Sequence, residues 1–362
     1  MPFDVACVGE AMVLVTPDPP APLALGGPAR IDVAGAESTV ACYLAQLGLR
    51  PAWISRVGDD PLGELILAQL RGLGVDTTHV EVDGNSPTGV FFKDPGAVTR
   101  VFYYRAGSAA SKLGPGTPVP QARITHLSGI TPALSDNCAL LVDELLSTRT
   151  CSFDVNYRPR LWTTGEAGPV LRRLADRAAV VFVGLDEAQT LWGADRPEDV
   201  RALLPGPDVL VVKDGALGAT SFHPGGTTFE PAPPVDVVEP VGAGDAFAAG
   251  YLAALLRNWP TSPGRLRPPQ QIGRATEHKT EAKPSAPALH TDNATGHSAE
   301  AEPSAPAREF RHLFVPLPGR QPVHTEEATR HNAEAARLRL GHRVAGAALR
   351  STGDVAILKE KL

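Results

Sequence analysis

The sequence predicts an α/β fold in which a central, mostly parallel sheet is flanked by helices. Short apolar runs typical of buried strands recur along the chain, for example at residues 3–9, 52–57 and 124–130. Patterns typical of helices stand between them, as at 34–48 and 134–146, and Gly and Pro mark the turns. Strands that alternate with helices in this way favour a parallel sheet covered on both faces.

Length and composition narrow the class of protein. The chain has 362 residues, of which 43% are hydrophobic, enough for one large domain with an appendage or for two domains. The formal net charge of -6 predicts no basic surface for nucleic acid. Four widely spaced cysteines indicate reduced thiols. Asp4 and Glu10 interrupt the first apolar run, which argues against a signal peptide, and no run is long enough to cross a bilayer. We therefore expect a soluble, cytoplasmic protein with no membrane partner.

The N-terminal elements follow one another closely. Residues 3–9 predict a buried strand, and 12–15 predict a second strand that leaves the main sheet. A helix over 34–48 ends at a glycine, and a strand over 52–57 follows it. The turn that begins at Gly58 leads into another helix. This succession is the strand and helix alternation of the predicted fold.

The glycine-rich stretch GAGDAFAAG at residues 242–250 opens an Ala- and Leu-rich helical pattern. Gly242, Ala243 and Gly244 are expected at the mouth of the helix, with Asp245 in its first turn. Small residues let the backbone approach a ligand, and the free N–H groups of a helix start suit a phosphoryl group. Asp245 beside those amides could take a proton from an attacking hydroxyl. The alternative is an ordinary helix start that Asp245 merely caps.

This stretch resembles the C-terminal signature of the ribokinase-like (PfkB) carbohydrate kinases. The resemblance implies a ribokinase-like fold, ATP and Mg²⁺ as cofactors, Asp245 as the catalytic base and residues 242–244 as an anion hole. The segment at 34–48 is similar to the family's N-terminal signature. There the resemblance implies Gly35 as a substrate contact, while Thr39 stands where the family tends to have Asn.

The β-prone runs at 88–93 and 100–105 are separated by turn residues and predict a hairpin. In the family that the chain resembles, such a hairpin joins the strand at 12–15, and one near Ile31, in a small β-sheet lid that would exclude water from the sugar. The alternative is an edge hairpin of the main sheet. The resemblance also implies that exposed lid strands pair two subunits, so we expect a homo-oligomer.

Tyr103 and Arg105 are predicted on the same face of a strand, because side chains alternate with period two. A guanidinium beside a phenol suits a carboxylate-bearing sugar; the alternative is a solvated Arg beside a packed Tyr. The string YYRAGSAASKL at 103–113 resembles the 2-keto-3-deoxygluconate kinase branch of the family, and so does FDVNYRPRLW at 153–162. The resemblance implies that Tyr103, Arg105 and Arg158 contact a sugar acid and that Asp354 closes the substrate site.

Two further segments resemble parts of the family that lie near the nucleotide and its phosphates. The family usually has Asn-x-x-Glu near the metal, and here only Glu187 is kept, so the resemblance implies Mg²⁺ near Glu187. The alternative is a first-turn charge that favours the helix dipole. The segment at 208–219 resembles the nucleotide-side turn, which implies that Lys213, Gly215 and Gly218 bind ATP.

The last third of the chain departs most from this pattern. Residues 258–335 are rich in Pro, Ala, Thr, Glu and His, and they predict a low-complexity, disordered insertion. A helical pattern at 337–349 resembles the family's last core helix. The kinase domain is therefore expected to comprise 1–256 and 337–356, with lid strands at about 12–33 and 88–105.

The function that this resemblance implies is ATP-dependent phosphorylation of 2-keto-3-deoxygluconate. Two alternatives remain open. One is a fructokinase or another sugar kinase of the same family, which would not need Arg105 and Arg158 together. The other is a catalytically inactive sugar-binding protein, which is suggested by Thr39, Gly184 and Pro240 at motif positions and by the insertion.

Overall fold

A computed structural model of the chain describes residues 2–96, 99–237, 241–257, 325–350 and 358. Its strands, in chain order, are β1 Phe3–Val8, β2 Met12–Pro17, β3 Ala29–Ala34, β4 Pro51–Ile54, β5 Arg56–Gly58, β6 Glu81–Asp83, β7 Val90–Asp94, β8 Arg100–Tyr104, β9 Ala122–Ser128, β10 Cys151–Asp154, β11 Val180–Gly184, β12 Val209–Asp214, β13 Gly218–His223 and β14 Gly226–Pro231. Its helices are α1 Ala36–Gln46, α2 Pro61–Gly72, α3 Asp136–Thr148, α4 Thr164–Ala175, α5 Leu185–Trp192, α6 Pro197–Leu203, α7 Ala243–Arg257 and α8 Thr325–Leu349.

The large sheet has the strand order β14-β13-β12-β11-β10-β9-β1-β4. The strands from β12 to β4 are parallel to their neighbours, and β13 and β14 extend the sheet as antiparallel strands. This is the mostly parallel sheet that the sequence predicts. Because the parallel strands all end at one edge, residues at their carboxyl ends come together there.

Both faces of the large sheet are covered, and strand β1 shows how. Val5 and Cys7 belong to a core shared with α1, α7 and α8, whereas Ala6 and Val8 belong to a core shared with α3 and α4. Successive side chains of a strand point to opposite faces, so a strand that is buried on both faces must be apolar throughout. This requirement accounts for the unbroken apolar runs in the sequence.

The predicted hairpin forms β7 and β8 in a separate four-stranded sheet with the order β3-β2-β7-β8. The alternative placement at an edge of the main sheet is therefore wrong. Arg105 follows β8 rather than lying within it.

The structure also divides the predicted strand at 52–57. β4 ends at Ile54, and β5 pairs with β6 in a two-stranded sheet. There Nη2 of Arg56 donates a hydrogen bond to Oε1 of Glu81.

Helices α7 and α8 lie against each other with their backbones close together. A Cβ atom added to Gly250 would lie 2.7 Å from the carbonyl oxygen of Leu340, and one added to Gly341 would lie 3.0 Å from the ring of Phe247. The glycines are thus required by the approach of the two helices.

Helix α8 begins at Thr325, well before the predicted start at 337, because the segment is rich in helix-forming Ala, Glu and Arg. The rest of the predicted insertion, 258–324, lies outside the described residues.

Candidate active site

An ion pair links two strands at the carboxyl edge of the large sheet. Asp154 is the last residue of β10, and Nζ of Lys213, near the end of β12, lies 3.3 Å and 3.0 Å from its two carboxylate oxygens. The side chain of Asp154 is 3% exposed and that of Lys213 is 19% exposed. Strand β11 runs between β10 and β12, and its last residue, Gly184, is the register partner of Lys213.

Asn156 follows β10 and turns toward the glycine-rich stretch. Its φ is 43°, in the left-handed region that Asn tolerates better than most residues. From this conformation Nδ2 donates to Oδ1 of Asp245 at 3.2 Å. The polar end of β10 and the predicted catalytic base are therefore in direct contact.

Helix α7 begins at Ala243, as predicted, and Gly242 precedes it with a φ of 81°. Ala246 donates its N–H to the carbonyl of Gly242, so the amides before Ala246 have no acceptor within the helix. A Cβ atom added to Gly244 would lie 3.4 Å from Nζ of Lys213. A free row of amides and an ammonium group thus lie side by side, which is an arrangement suited to phosphate.

Asp245 titrates far from its ordinary range. Burial raises its pKa to about 8, with the nearby charge of Asp154 adding to the effect, while the cations of Arg158 and Lys213 lower it. A carboxyl group with a pKa near the working pH is well matched to a general base. Burial alone would lower the pKa of Lys213, but the carboxylates of Asp154 and Glu187 raise it.

The carboxylate of Glu187 accepts hydrogen bonds from backbone amides of two segments. Its Oε1 accepts from the amide of Tyr157 at 2.9 Å, and its Oε2 accepts from the amide of Gly184 at 2.9 Å, which caps helix α5. Burial raises the pKa of Glu187, against the lowering effect of Lys213. Among the residues that the structure describes, no three His, Cys, Asp or Glu side chains form a metal-binding cluster. The helix-start alternative accounts for this side chain, and a metal ligand role for Glu187 stays a prediction.

Gly35 and Arg105, two of the predicted substrate contacts, both lie against Glu10. A Cβ atom added to Gly35 would lie 2.4 Å from the carbonyl oxygen of Glu10, so only glycine fits. The guanidinium of Arg105 forms an ion pair with the Glu10 carboxylate. It also lies 5.9 Å from the ring centre of Tyr103, which stacks on Phe91. Tyr103 and Arg105 are therefore neighbours, but the prediction that they share one face of a strand is wrong, because β8 ends at Tyr104.

Arg158 is exposed and donates to the carbonyl of Tyr157 at 3.2 Å. Its charge lowers the pKa of both Asp245 and Glu187. Asp354 lies outside the described residues.

The nucleotide-side glycines sit at the turn between β12 and β13. Gly215 has a φ of 47° and open space where a side chain would project. Gly218 has a φ of 147°, and an added Cβ atom would lie 2.4 Å from the carbonyl oxygen of Glu230. The hairpin itself thus requires Gly218. Contact of Gly215 and Gly218 with a nucleotide stays a prediction.

Two buried carboxyl groups at the site have no predicted role. Glu10 is 3% exposed and Glu37 is 1% exposed. Oε1 of Glu37 accepts from Ser128 at 2.7 Å and from Thr131 at 2.9 Å. Burial raises the pKa of Glu37, and its charge in turn acts on Asp245. For Glu10, the acidic residue inside an apolar run was the available signal.

The part of the chain that the structure describes contains no helix that is long and apolar enough to cross a membrane. The described strands and helices bring Asp245 and Lys213 to the carboxyl edge of the large sheet, whereas Tyr103 lies on β8 of the small sheet. Asp245, Gly244 and Lys213 lie close together at the start of α7, and Gly35, Tyr103 and Arg105 lie close together around Glu10. The charge of Glu37 acts on both groups, since it affects Asp245 and is itself affected by Arg105.

Comparison with known proteins identifies the group to which this arrangement belongs. The 2-dehydro-3-deoxygluconokinase of Thermoproteus tenax is 38% identical over 269 residues, covering 70% of this chain and 82% of that enzyme. The 2-dehydro-3-deoxygluconokinase of Bacillus subtilis (strain 168) is 37% identical over 248 residues, covering 62% and 74%. The crystal structure of the PfkB protein from Polaromonas sp. JS666 superposes with a TM-score of 0.66 at 36% identity, covering 71% of this chain and 90% of that one. Residues 3–262 match the sequence pattern of the pfkB family carbohydrate kinases, so the chain belongs to that family and is a carbohydrate kinase.

Proposed function

We propose that this carbohydrate kinase transfers the terminal phosphoryl group of ATP to the primary hydroxyl of 2-keto-3-deoxygluconate (2-dehydro-3-deoxygluconate). The observation that carries the proposal is the position of Asp245. It lies in the first turn of α7, bonded to Asn156 and close to the Asp154–Lys213 pair. A base, a row of free amides and a cation are thus within one small region.

The reaction follows from these groups. Asp245 takes the proton of the sugar hydroxyl as its oxygen forms a bond to the terminal phosphorus, and the bond from that phosphorus to the bridging oxygen breaks, so that ADP leaves. The amides of residues 242–244 stabilise the charge on the transferring phosphoryl group. Lys213 adds a positive charge beside Gly244. The base then returns its proton to solvent when the product leaves.

The choice of a sugar acid rests on the cationic groups of the site. Arg105 pairs with Glu10, and the charge of Arg158 acts on Asp245. Arg binds carboxylates well because its donors form a planar fork. Tyr103 and Gly35 would complete the sugar contacts. The two relatives named 2-dehydro-3-deoxygluconokinases support this choice, since they share more than a third of the aligned residues.

The residues present fit a nucleotide with its magnesium ion. Gly215 leaves open space beside Lys213, and the free amides at the start of α7 face the same region. Mg²⁺ in nucleotide sites is commonly held by one or two carboxylates and the phosphates themselves, so a dedicated protein cage is not required. Glu187 and Asp154 are the carboxylates that would face it. Mg²⁺ would offset the negative charge of the phosphates.

The test is ADP release from the purified protein with Mg-ATP. The acceptors compared are 2-keto-3-deoxygluconate, its galactose-derived epimer, 2-ketogluconate, fructose and ribose. The proposal expects kcat/KM for 2-keto-3-deoxygluconate to exceed that for fructose or ribose by at least about 100-fold, since charge-assisted hydrogen bonds contribute about 1.5–3 kcal/mol each. Equal or higher kcat/KM with a neutral sugar would refute the substrate, while Asp245→Asn tests the chemistry separately.

A neutral sugar is a second candidate, and a specific contact favours it. The charge of Arg105 is already paired with Glu10, so this guanidinium attracts a second carboxylate less strongly than a free one would. A fructokinase-like enzyme would use Arg105 as a donor to hydroxyls. In that case Arg158→Gln would leave the KM of the preferred sugar unchanged.

We also propose that the small sheet joins two subunits. Ile31, Phe102 and Tyr104 on its strands are 53%, 38% and 65% exposed, and exposed apolar residues on an edge strand favour pairing. Light scattering during gel filtration should give twice the mass of one chain. Tyr104→Lys should shift the protein toward the monomer, whereas Leu140→Lys, at an exposed position on α3, should not.

A further inference from the structure

Glu10 is a buried acidic residue at the junction of the two main sheets. It stands between β1 of the large sheet and β2 of the small sheet and is 3% exposed. Its Oε1 accepts from the hydroxyl of Ser108 at 2.6 Å, and its Oε2 is paired with the guanidinium of Arg105. A buried carboxylate is costly unless it is paired and hydrogen-bonded, and here both conditions are met.

The surroundings of Glu10 leave it little room to move. A Cβ atom added to Gly89 would lie 2.9 Å from Oε1, so β7 passes directly beside the carboxylate. On the other side, the carbonyl oxygen of the same residue touches Gly35. Ser108 is itself fixed, since its hydroxyl caps the short 3₁₀ helix Ala109–Lys112. The carboxylate is therefore a rigid point against which a longer side chain can be held.

Arg105 is the side chain that needs such support. It follows the end of β8, so no strand pairing fixes it, and a free Arg side chain has about 2 kcal/mol of rotamer entropy to lose on binding. In the structure its side chain is 11% exposed. Its Nε is buried and has no hydrogen-bond partner among the described residues. Glu10 thus pairs with one terminal nitrogen of the guanidinium, Nη2, while Nε remains as a donor for another acceptor.

We propose that Glu10 is a positioning residue that sets the guanidinium of Arg105 for the sugar, with Ser108 fixing Glu10 in turn. This inference rests on the proposed function only in that Arg105 contacts the sugar. It assigns a role to a residue outside the glycine-rich stretch and the predicted substrate contacts. It also means that the net positive charge for a sugar carboxylate comes chiefly from Arg158, because Glu10 offsets that of Arg105.

A double-mutant cycle tests whether Glu10 acts through Arg105. Glu10→Gln keeps the shape and the acceptor for Ser108 but turns an amide donor toward the guanidinium, which displaces it. We expect Glu10→Gln to raise the KM of the best sugar about 10-fold or more, with kcat and the KM of ATP within about threefold, since the loss is one charge-assisted contact. Arg105→Gln should raise the KM at least as much. Glu10→Gln on the Arg105→Gln background should add nothing.

Other variants guard against a simple folding defect. Ser108→Ala leaves the buried pair in place and should raise the KM about threefold, in keeping with one neutral hydrogen bond. Glu10→Asp keeps the charge and should recover part of the loss. Glu64→Gln, on the exposed face of α2, is the matched control. The melting temperature of each variant is measured alongside.

The outcomes separate this inference from the proposed function. Turnover of fructose but not 2-keto-3-deoxygluconate by the wild type would refute the proposed substrate, and the cycle is then run with fructose. A full Glu10→Gln effect on the Arg105→Gln background would refute the positioning role. A lower KM for the sugar acid in Glu10→Gln would refute it as well, because Glu10 would then only oppose the substrate charge.

Discussion

Asn156 donates a hydrogen bond from Nδ2 to Oδ1 of Asp245 at 3.2 Å while its own backbone stands at a φ of 43°. A residue in this conformation is uncommon outside Gly, Asn and Asp, and such residues cluster at functional sites. The turn after β10 thus aims a donor at the carboxylate of Asp245 on α7. A hydrogen bond to the ionised form of a carboxyl group favours that form, and it also fixes the orientation of the oxygen that we propose takes the proton.

Asp245→Asn should abolish turnover and stabilise the fold. Loss of a general base lowers kcat by about 10²–10⁴-fold. Because the pKa of Asp245 is raised to about 8, its contribution to stability is complete below the unfolded pKa and is lost as pH rises through about 8. The gain in melting temperature from Asp245→Asn should therefore grow between pH 5 and pH 8 and then level off. Calorimetry at several pH values measures it.

The matched control for that variant is Asp136→Asn, an exposed carboxylate in the first turn of α3. Neither kcat nor the pH dependence of the melting temperature should change in it. Near-complete turnover by Asp245→Asn would overturn the assignment of the base.

The pH profile of the wild type should reflect the same carboxyl group. kcat/KM reports the free enzyme, so it should rise with pH and reach a plateau above about 8. At pH 7 it should be about a tenth of the plateau value, since one pH unit below the pKa leaves about a tenth of the base ionised. Asp154→Asn should move the rising limb to lower pH, because the charge of Asp154 raises the pKa of Asp245. A profile that is flat from pH 6 to pH 9 would contradict this prediction.

Lys213→Met should destabilise the fold and raise the pKa of Asp245. It leaves Asp154 buried without its cation, and breaking a buried pair costs about 3–5 kcal/mol. It also removes a positive charge that lowers the pKa of Asp245, so the rising limb of the pH profile should move to higher pH. Urea unfolding measures the first effect. The double variant Lys213→Met/Asp154→Asn should regain part of the stability, while Lys112→Met, at an exposed position, should change it by less than about 0.5 kcal/mol.

Arg158→Gln should raise the KM for the sugar acid and leave the KM for neutral sugars unchanged. A charge-assisted contact contributes about 1.5–3 kcal/mol, which corresponds to a KM rise of about 10- to 100-fold. The same change should raise the pKa of Asp245, since the charge of Arg158 lowers it. Steady-state kinetics with 2-keto-3-deoxygluconate and fructose measure the difference. Arg160→Gln, at an exposed position nearby, is the control. An unchanged KM for the acid would favour the neutral-sugar candidate.

Glu334→Ala should destabilise the protein without changing its kinetics at low temperature. Glu334 is fully buried on α8 and accepts from Ser221 and Arg337 at 2.6 Å each and from Tyr251 on α7. Removing Glu334 takes the acceptor away from two buried hydroxyls and leaves the half-buried guanidinium of Arg337 without its ion-pair partner, at a cost of about 3–5 kcal/mol. Arg339→Gln, which breaks a surface pair with Glu230, should cost less than about 1 kcal/mol. A kcat that falls at temperatures where the variant is fully folded would contradict a purely structural role.

The sequence allowed the fold class, the small sheet and the start of α7 to be predicted, because apolar runs and glycines leave strong local signals. It did not reveal the Lys213–Asp154 pair, which depends on the order of β10, β11 and β12 in the sheet. Nor did it reveal the role of Glu10. A carboxylate that contacts Ser108, distant in sequence, carries no periodic signature, so only the assembled fold identifies its partners.

The position of helix α8 late in the chain determines when, during synthesis, the protein can become active. Nearly all of the described residues of the candidate site precede Arg257, yet the helix that carries Asp245 rests on α8, which begins at Thr325. The glycine contacts between the two helices cannot form until that later segment has left the ribosome. A nascent chain that stops before Thr325 would therefore contain the catalytic chemistry and lack the surface that holds its base in place.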